Sequence, residues 1–62
     1  MYDYFVELQI FGARPRYTDI FDTYEEAKEV FDKARDVVDY FGGHLWLCRL
    51  DENGVIKTID CY

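Results

Sequence analysis

Along residues 2–11 apolar and polar positions alternate. Tyr2, Tyr4, Val6, Leu8 and Ile10 occupy the even positions, and Asp3, Glu7 and Gln9 share the odd ones with Phe5 and Phe11. A period of two sends successive side chains to opposite faces, so the segment predicts a strand with one buried face. Gly12-Ala13-Arg14-Pro15 interrupts the pattern with a residue free at φ and one that lacks a backbone donor, which predicts a hairpin loop. From Arg16 to Phe21 the alternation resumes, with Tyr17, Asp19 and Phe21 set against Arg16, Thr18 and Ile20, and a second short strand is expected there.

The period then changes. Ala27, Val30, Phe31, Ala34, Val37, Val38 and Phe41 recur at intervals of three and four, one continuous face of a helix over residues 22–41. Asp22 or Thr23 is its N-cap. With Thr23 in that role, Glu26 falls at the third helical position and completes a capping box. Gly42-Gly43 ends the helix. His44–Leu50 reads as a third strand, Asp51-Glu52-Asn53-Gly54 as a turn, and Val55–Tyr62 as a fourth strand. The predicted order is β-β-α-β-β: an α+β fold, a four-stranded, mostly antiparallel sheet with one helix packed on one face, and all 62 residues in a single small domain.

The last hairpin admits two registers. A two-residue Asn53-Gly54 turn pairs Glu52 with Val55. It groups Trp46, Cys48 and Leu50 with Val55, Ile59 and Cys61, and Leu45, Leu47 and Arg49 with Ile56, Thr58, Asp60 and Tyr62. A three-residue loop with a bulge at Gly54 turns the fourth strand over. The first sorts apolar residues better and is preferred. Cys48 and Cys61 are not opposite one another in either register. In the first they are diagonal, roughly 7–8 Å apart, too far for an unstrained bridge. Two free thiols, in a chain whose start does not read as an export signal, fit a reducing cytoplasm.

Composition narrows the class. Thirteen acids against seven Lys and Arg leave a net charge of −6, and six Tyr, five Phe and Trp46 supply many large rings. That aromatic content argues against a disordered acidic tail, and the charge argues against direct binding to nucleic acid. No apolar run approaches the ~18 residues of a membrane-spanning helix.

Two surfaces could carry function. On the helix, Glu25, Glu29, Asp32, Asp36 and Asp39 fall within about 40° of one line opposite the apolar face, over ~21 Å, and Asp22 and Glu26 extend the patch. Like charges at i,i+4 disfavour a helix, and Lys28, Lys33 and Arg35 sit to the sides of the line. One reading is a solvated face. The other is a negative rod that fits a Lys/Arg groove made for nucleic acid. The second surface is the sheet face away from the helix, expected to expose Phe5, Phe11, Leu45, Leu47, Ile56 and Tyr62 with Glu7 among them, a pattern suited to an interface.

Little else suggests chemistry. His44 and Cys48 share a strand face but lie ~13 Å apart, too far for a Cys–His nucleophile. One His and two Cys fall short of a zinc site, and the helix carboxylates lack the loop that a closed oxygen cage needs. Arg14 and Arg16 at the hairpin tip fit solvated side chains, or partners for acids such as Asp19. No catalytic residue, metal or cofactor is expected, and the chain reads as a binding protein rather than an enzyme.

In length, acidity, Tyr and Phe content and the stripe Glu25-Glu29-Asp32-Asp36-Asp39, the chain resembles the small proteins that phages encode against host defences, the anti-CRISPR proteins above all. These share no common sequence motif. The resemblance implies a cytoplasmic inhibitor in a bacterial host that imitates DNA and binds a basic groove on a protein partner, with no contact to nucleic acid or membrane. The segment Phe21-Asp22-Thr23-Tyr24-Glu25-Glu26-Ala27 is also similar to antitoxins paired with small RNase toxins, but the Pro-Asp-x-x-Gly-Cys stretch and the DNA-binding module of that group are missing. The rival reading is a homodimeric interaction module joined through the open sheet face.

Overall fold

Residues 2–62 are described by a computed structural model of the chain. The first alternating segment forms β1 (Asp3–Ile10) and the second forms a short β2 (Arg16–Tyr17). The 3.6-period segment forms α1 (Tyr24–Phe41), and β3 (Gly43–Leu50) and β4 (Ile56–Cys61) follow. Every neighbouring pair is antiparallel and the order in the sheet is β2-β1-β3-β4. The α+β architecture expected from the patterning is the one observed.

α1 starts where the capping signals place it. Thr23 is the N-cap, its hydroxyl oxygen accepts from the Glu26 backbone N–H at 3.3 Å, and the hydroxyl donates to the Glu26 carboxylate at 3.0 Å. Glu25 and Glu26 in the first turn also face the positive end of the helix dipole. The apolar stripe delivers Ala27, Phe31 and Val38 to the core, where they meet Val6, Leu45 and Leu47, with Tyr4, Leu8, Phe21, Val30 and Ala34 packed around them. Phe41, the last member of the stripe, is exposed.

β1 and β3 run side by side over eight residue pairs. Residues directly opposite in such a ladder share a face. Val6 opposite Leu47 and Leu8 opposite Leu45 therefore stand under the helix, and Phe5 opposite Cys48 and Glu7 opposite Trp46 stand on the far side. This corrects the expectation that Leu45 and Leu47 belong to the open face. Both are fully buried beneath α1, because the even residues of β1 require apolar partners on their own side.

Each outer strand slips by one residue partway along. On β2, Leu8–Arg16 and Glu7–Tyr17 pair regularly, and Thr18 closes on Val6 through its backbone N–H at 3.0 Å and its hydroxyl, which accepts from the Val6 N–H at 2.9 Å. Pairing then resumes at Tyr4–Phe21, with one extra residue on the β2 side. The predicted strand 16–21 is thus a two-residue strand followed by an isolated bridge. The slip sends Tyr17 to the open face and Phe21 to the core, residues that simple alternation would keep together.

The second slip resolves the hairpin register. Gly54, at φ +81°, donates to Asp51 O at 3.1 Å, and Asp51 N donates to Val55 O at 3.1 Å, so the loop has three residues and not the preferred two. Leu50–Ile56, Arg49–Lys57 and Cys48–Thr58 follow that register. A bulge then shifts the pairing to Leu47–Asp60 and Trp46–Cys61, and Leu45 and Tyr62 exchange backbone hydrogen bonds. The strand carries both candidate registers in succession, and the residue inserted between them is Ile59. Cys48 is buried, Cys61 is exposed, and both thiols are free.

Candidate functional site

The solvent face of α1 carries Glu25, Glu26, Glu29, Asp32, Asp36 and Asp39, all exposed, as the helical spacing predicts, and exposed Asp22 precedes the N-cap. Between residues 22 and 41, seven carboxylates stand against Lys28, Lys33 and Arg35, so this segment holds −4 of the chain's −6. The three cations lean onto the stripe rather than away from it. Lys28 Nζ lies 3.0 Å from Asp32 and 3.6 Å from Asp60 of β4, Lys33 lies 3.0 Å from Glu29, and Arg35 lies 3.9 Å from Asp32. The hydrogen bond to Asp32 raises the Lys28 pKa above its ordinary value. Asp39 accepts the hydroxyl of Tyr62, and Glu26 is held in the cap. Asp22, Glu25 and Asp36 keep no ion pair or hydrogen bond among the described residues. Exposed pairs of this kind contribute little to stability, and they leave the face negative.

The sheet face opposite α1 carries Phe5, Glu7 and Ile56, but only Ile56 is exposed; Phe5, expected to be exposed, is buried, and Glu7 is half-buried. Tyr62 is a further correction beside the leucines: the β4 bulge turns it under the sheet toward α1, where Arg35 lies 4.4 Å from its ring centroid. Phe11 stands past the end of β1 and packs against Gly42 and the His44 ring, 6.1 Å away. Sequence reasoning missed Tyr17, Trp46, Cys48 and Leu50 on this face. The signal was available, since Val6 and Leu8 inside demand Leu47 and Leu45 opposite them, and that register turns Trp46 and Cys48 outward. The face is not an open groove at its centre. Phe5 and Cys48 are buried although no element lies over them, because side chains of the same face, including the Tyr17 ring 6.1 Å from Phe5, close over them. Burial pushes the Cys48 thiol pKa up, opposed by its hydrogen bond with Thr58.

His44 joins a row of rings, 5.8 Å from Trp46 and 6.1 Å from Phe11. Arg14 and Arg16 are exposed at the hairpin. A shallow depression of about 270 Å³ lies at Tyr2, Asp51, Glu52 and Asn53, and the Asp51 carboxylate there already accepts the N–H groups of Asn53 and Val55. Among the described residues, no group of three or more His, Cys, Asp and Glu is placed to hold a metal ion, and no helix is long and apolar enough to cross a membrane.

Comparison with protein-family models, with curated proteins and with solved structures finds no match.

Proposed function

We propose that the protein is a non-enzymatic binding protein whose charged helix face occludes a basic, nucleic-acid-binding surface on a protein partner. The observation that carries this reading is the −4 charge of residues 22–41, whose acids lie on the exposed side of α1 and just ahead of its N-cap, on a helix docked to the sheet through its opposite stripe. A helix presents carboxylates at a fixed pitch, so a groove lined by Lys and Arg gains charge complementarity without ordering a loop. The resemblance to small phage-encoded inhibitors makes a CRISPR-like defence nucleoprotein in the bacterial cytoplasm the class of partner proposed.

The test replaces Glu29, Asp32 and Asp36 together by Gln, Asn and Asn, which takes the net charge from −6 to −3. The side chains are exposed, and lost repulsion offsets the lost Lys28, Lys33 and Arg35 pairs, so stability moves by less than about 1 kcal/mol. The immobilised protein captures its partner from bacterial lysate at low salt. Capture fails at about 0.5 M salt, where screening acts within a few ångströms, and fails with the triple variant. A folded triple variant that retains full affinity ends this reading.

A second reading, a homodimer joined through the open sheet face, is favoured by one observation. Tyr17 and Ile56 expose about 60% of their surface there, beside half-buried Trp46. Light scattering on the purified protein decides between monomer and dimer, and Tyr17→Ser with Ile56→Ser returns a sheet-face dimer to monomer while leaving the charged face intact.

A further inference from the structure

We propose that the C-terminal end of α1 docks an arginine side chain of the protein partner, stacked on the Tyr40 ring and paired with Asp36. This deepens the charged-face reading and rests on it. Among the described residues, Tyr40 is the most exposed of the large apolar and aromatic ones, at 83%, and its one ring neighbour is Phe41, edge-on with centroids 4.7 Å apart. Phe41 and Phe11 are exposed at the same end, Phe11 lying against Gly42 next to Phe41. Three uncovered rings at one end of a small domain are a surface that a partner covers.

Charge complementarity identifies the occupant. Tyr40 lies one helical turn beyond Asp36, so the ring and that carboxylate are neighbours on one helix surface. Asp36 has no ion pair or hydrogen bond among the described residues. The last turn of α1 has no basic residue to meet the negative end of the helix dipole. An aromatic ring, a free carboxylate and a helix C-terminus together favour a cation. Arginine fits better than lysine, because its planar guanidinium stacks on a tyrosine face while its fork reaches a carboxylate. The chain uses the same chemistry internally. Arg35 lies over Tyr62, whose hydroxyl donates to Asp39, and Arg49 lies 4.2 Å from the Tyr2 ring centroid. Among the described residues, no lysine or arginine lies over the Tyr40 ring.

The test titrates isotope-labelled protein with acetyl-tri-arginine amide and, at equal charge, acetyl-tri-lysine amide, followed by backbone amide shifts. Shifts centre on Asp36, Tyr40 and Phe41, and tri-arginine binds about two- to fivefold more tightly than tri-lysine. Tyr40→Ala removes that preference, Tyr40→Phe keeps it, and Asp36→Asn weakens both peptides. These side chains are exposed, so the variants fold. Equal affinities, with shifts spread along Glu25 to Asp36 and unmoved by Tyr40→Ala, overturn the Tyr40 site while leaving the charged-face reading standing. Arginine-selective binding at Tyr40 that persists in a variant carrying Glu25→Gln and Glu29→Gln, together with partner capture that also persists, separates the two in the opposite sense. Self-association without peptide, abolished by Arg14→Ala with Arg16→Ala, assigns the rings to a second copy and overturns the proposal.

Discussion

The hydroxyl of Tyr62 donates a hydrogen bond to the carboxylate of Asp39, tying the residue that follows β4 to the solvent side of α1. The contact exists because the bulge at Ile59 turns Tyr62 to the helix side of the sheet, beside Leu45. Arg35 covers the ring from the same helix.

This contact makes stability fall at alkaline pH. The hydrogen bond to Asp39 raises the Tyr62 pKa above the ordinary tyrosine value, with desolvation adding to it and Arg35 opposing it. A raised folded-state pKa means that the fold favours the protonated phenol. The contribution is therefore complete below about pH 10 and is lost as pH rises through the folded value. Tyr62→Phe keeps the ring over Arg35 and removes the donor. Melting curves should show the variant less stable than the parent at pH 8 and the difference shrinking above about pH 10. A difference independent of pH would mean that the hydroxyl acts otherwise.

Leu47→Ser distinguishes the two faces of β3. The side chain is fully buried against α1, so truncation costs about 2–5 kcal/mol, a large part of the stability of so small a domain. Ile56→Ser, on the open face, should cost less than about 1 kcal/mol. Denaturant melts of the two variants give the comparison, and similar midpoints would contradict the β1–β3 register.

Two glycines should respond very differently to alanine. Gly43 has φ +148°, and a Cβ there would stand 2.0 Å from the Gln9 carbonyl oxygen across the ladder. Backbone would have to move, at a cost on the order of 3 kcal/mol or more. Gly54 has φ +81° with nothing near its Cβ position, so only the left-handed backbone is strained, by roughly 1–2 kcal/mol. Calorimetric midpoints for both variants check the order.

Thr23→Ala removes the side-chain acceptor for the Glu26 N–H. The expected loss is about 1 kcal/mol, read from urea midpoints, while Thr18→Ala tests the equivalent contact on the β2 slip through its bond from Val6.

The thiols should separate kinetically. In the native protein an aromatic disulfide reagent modifies exposed Cys61 promptly and buried Cys48 slowly, since burial both shields that sulfur and raises its pKa. Both react at once in denaturant. Equal native rates would place Cys48 at the surface.

What the sequence determined by itself is local. The interval-three-and-four stripe from Ala27 to Val38, the Thr23–Glu26 box and the Gly pair after Phe41 specify α1 through contacts within a turn of one another. The alternation from Tyr2 to Ile10 specifies β1 and its inner face, and the charged line from Glu25 to Asp39 follows from helical pitch alone. What tertiary structure decided is the facing of the other strands. Alternation puts Leu45 and Leu47 on one face and Trp46 and Cys48 on the other, but does not say which face meets the helix; that depends on pairing with Leu8 and Val6, about 40 residues earlier. One inserted residue on each outer strand, near Ile20 and at Ile59, reverses the face of everything beyond it and leaves the local pattern almost unchanged. That is why Tyr17 and Phe21 part company, and why Tyr62 reaches Asp39 instead of joining Phe5 and Ile56 on the open face. A strand's period is written in neighbouring residues, whereas its phase is set by distant ones.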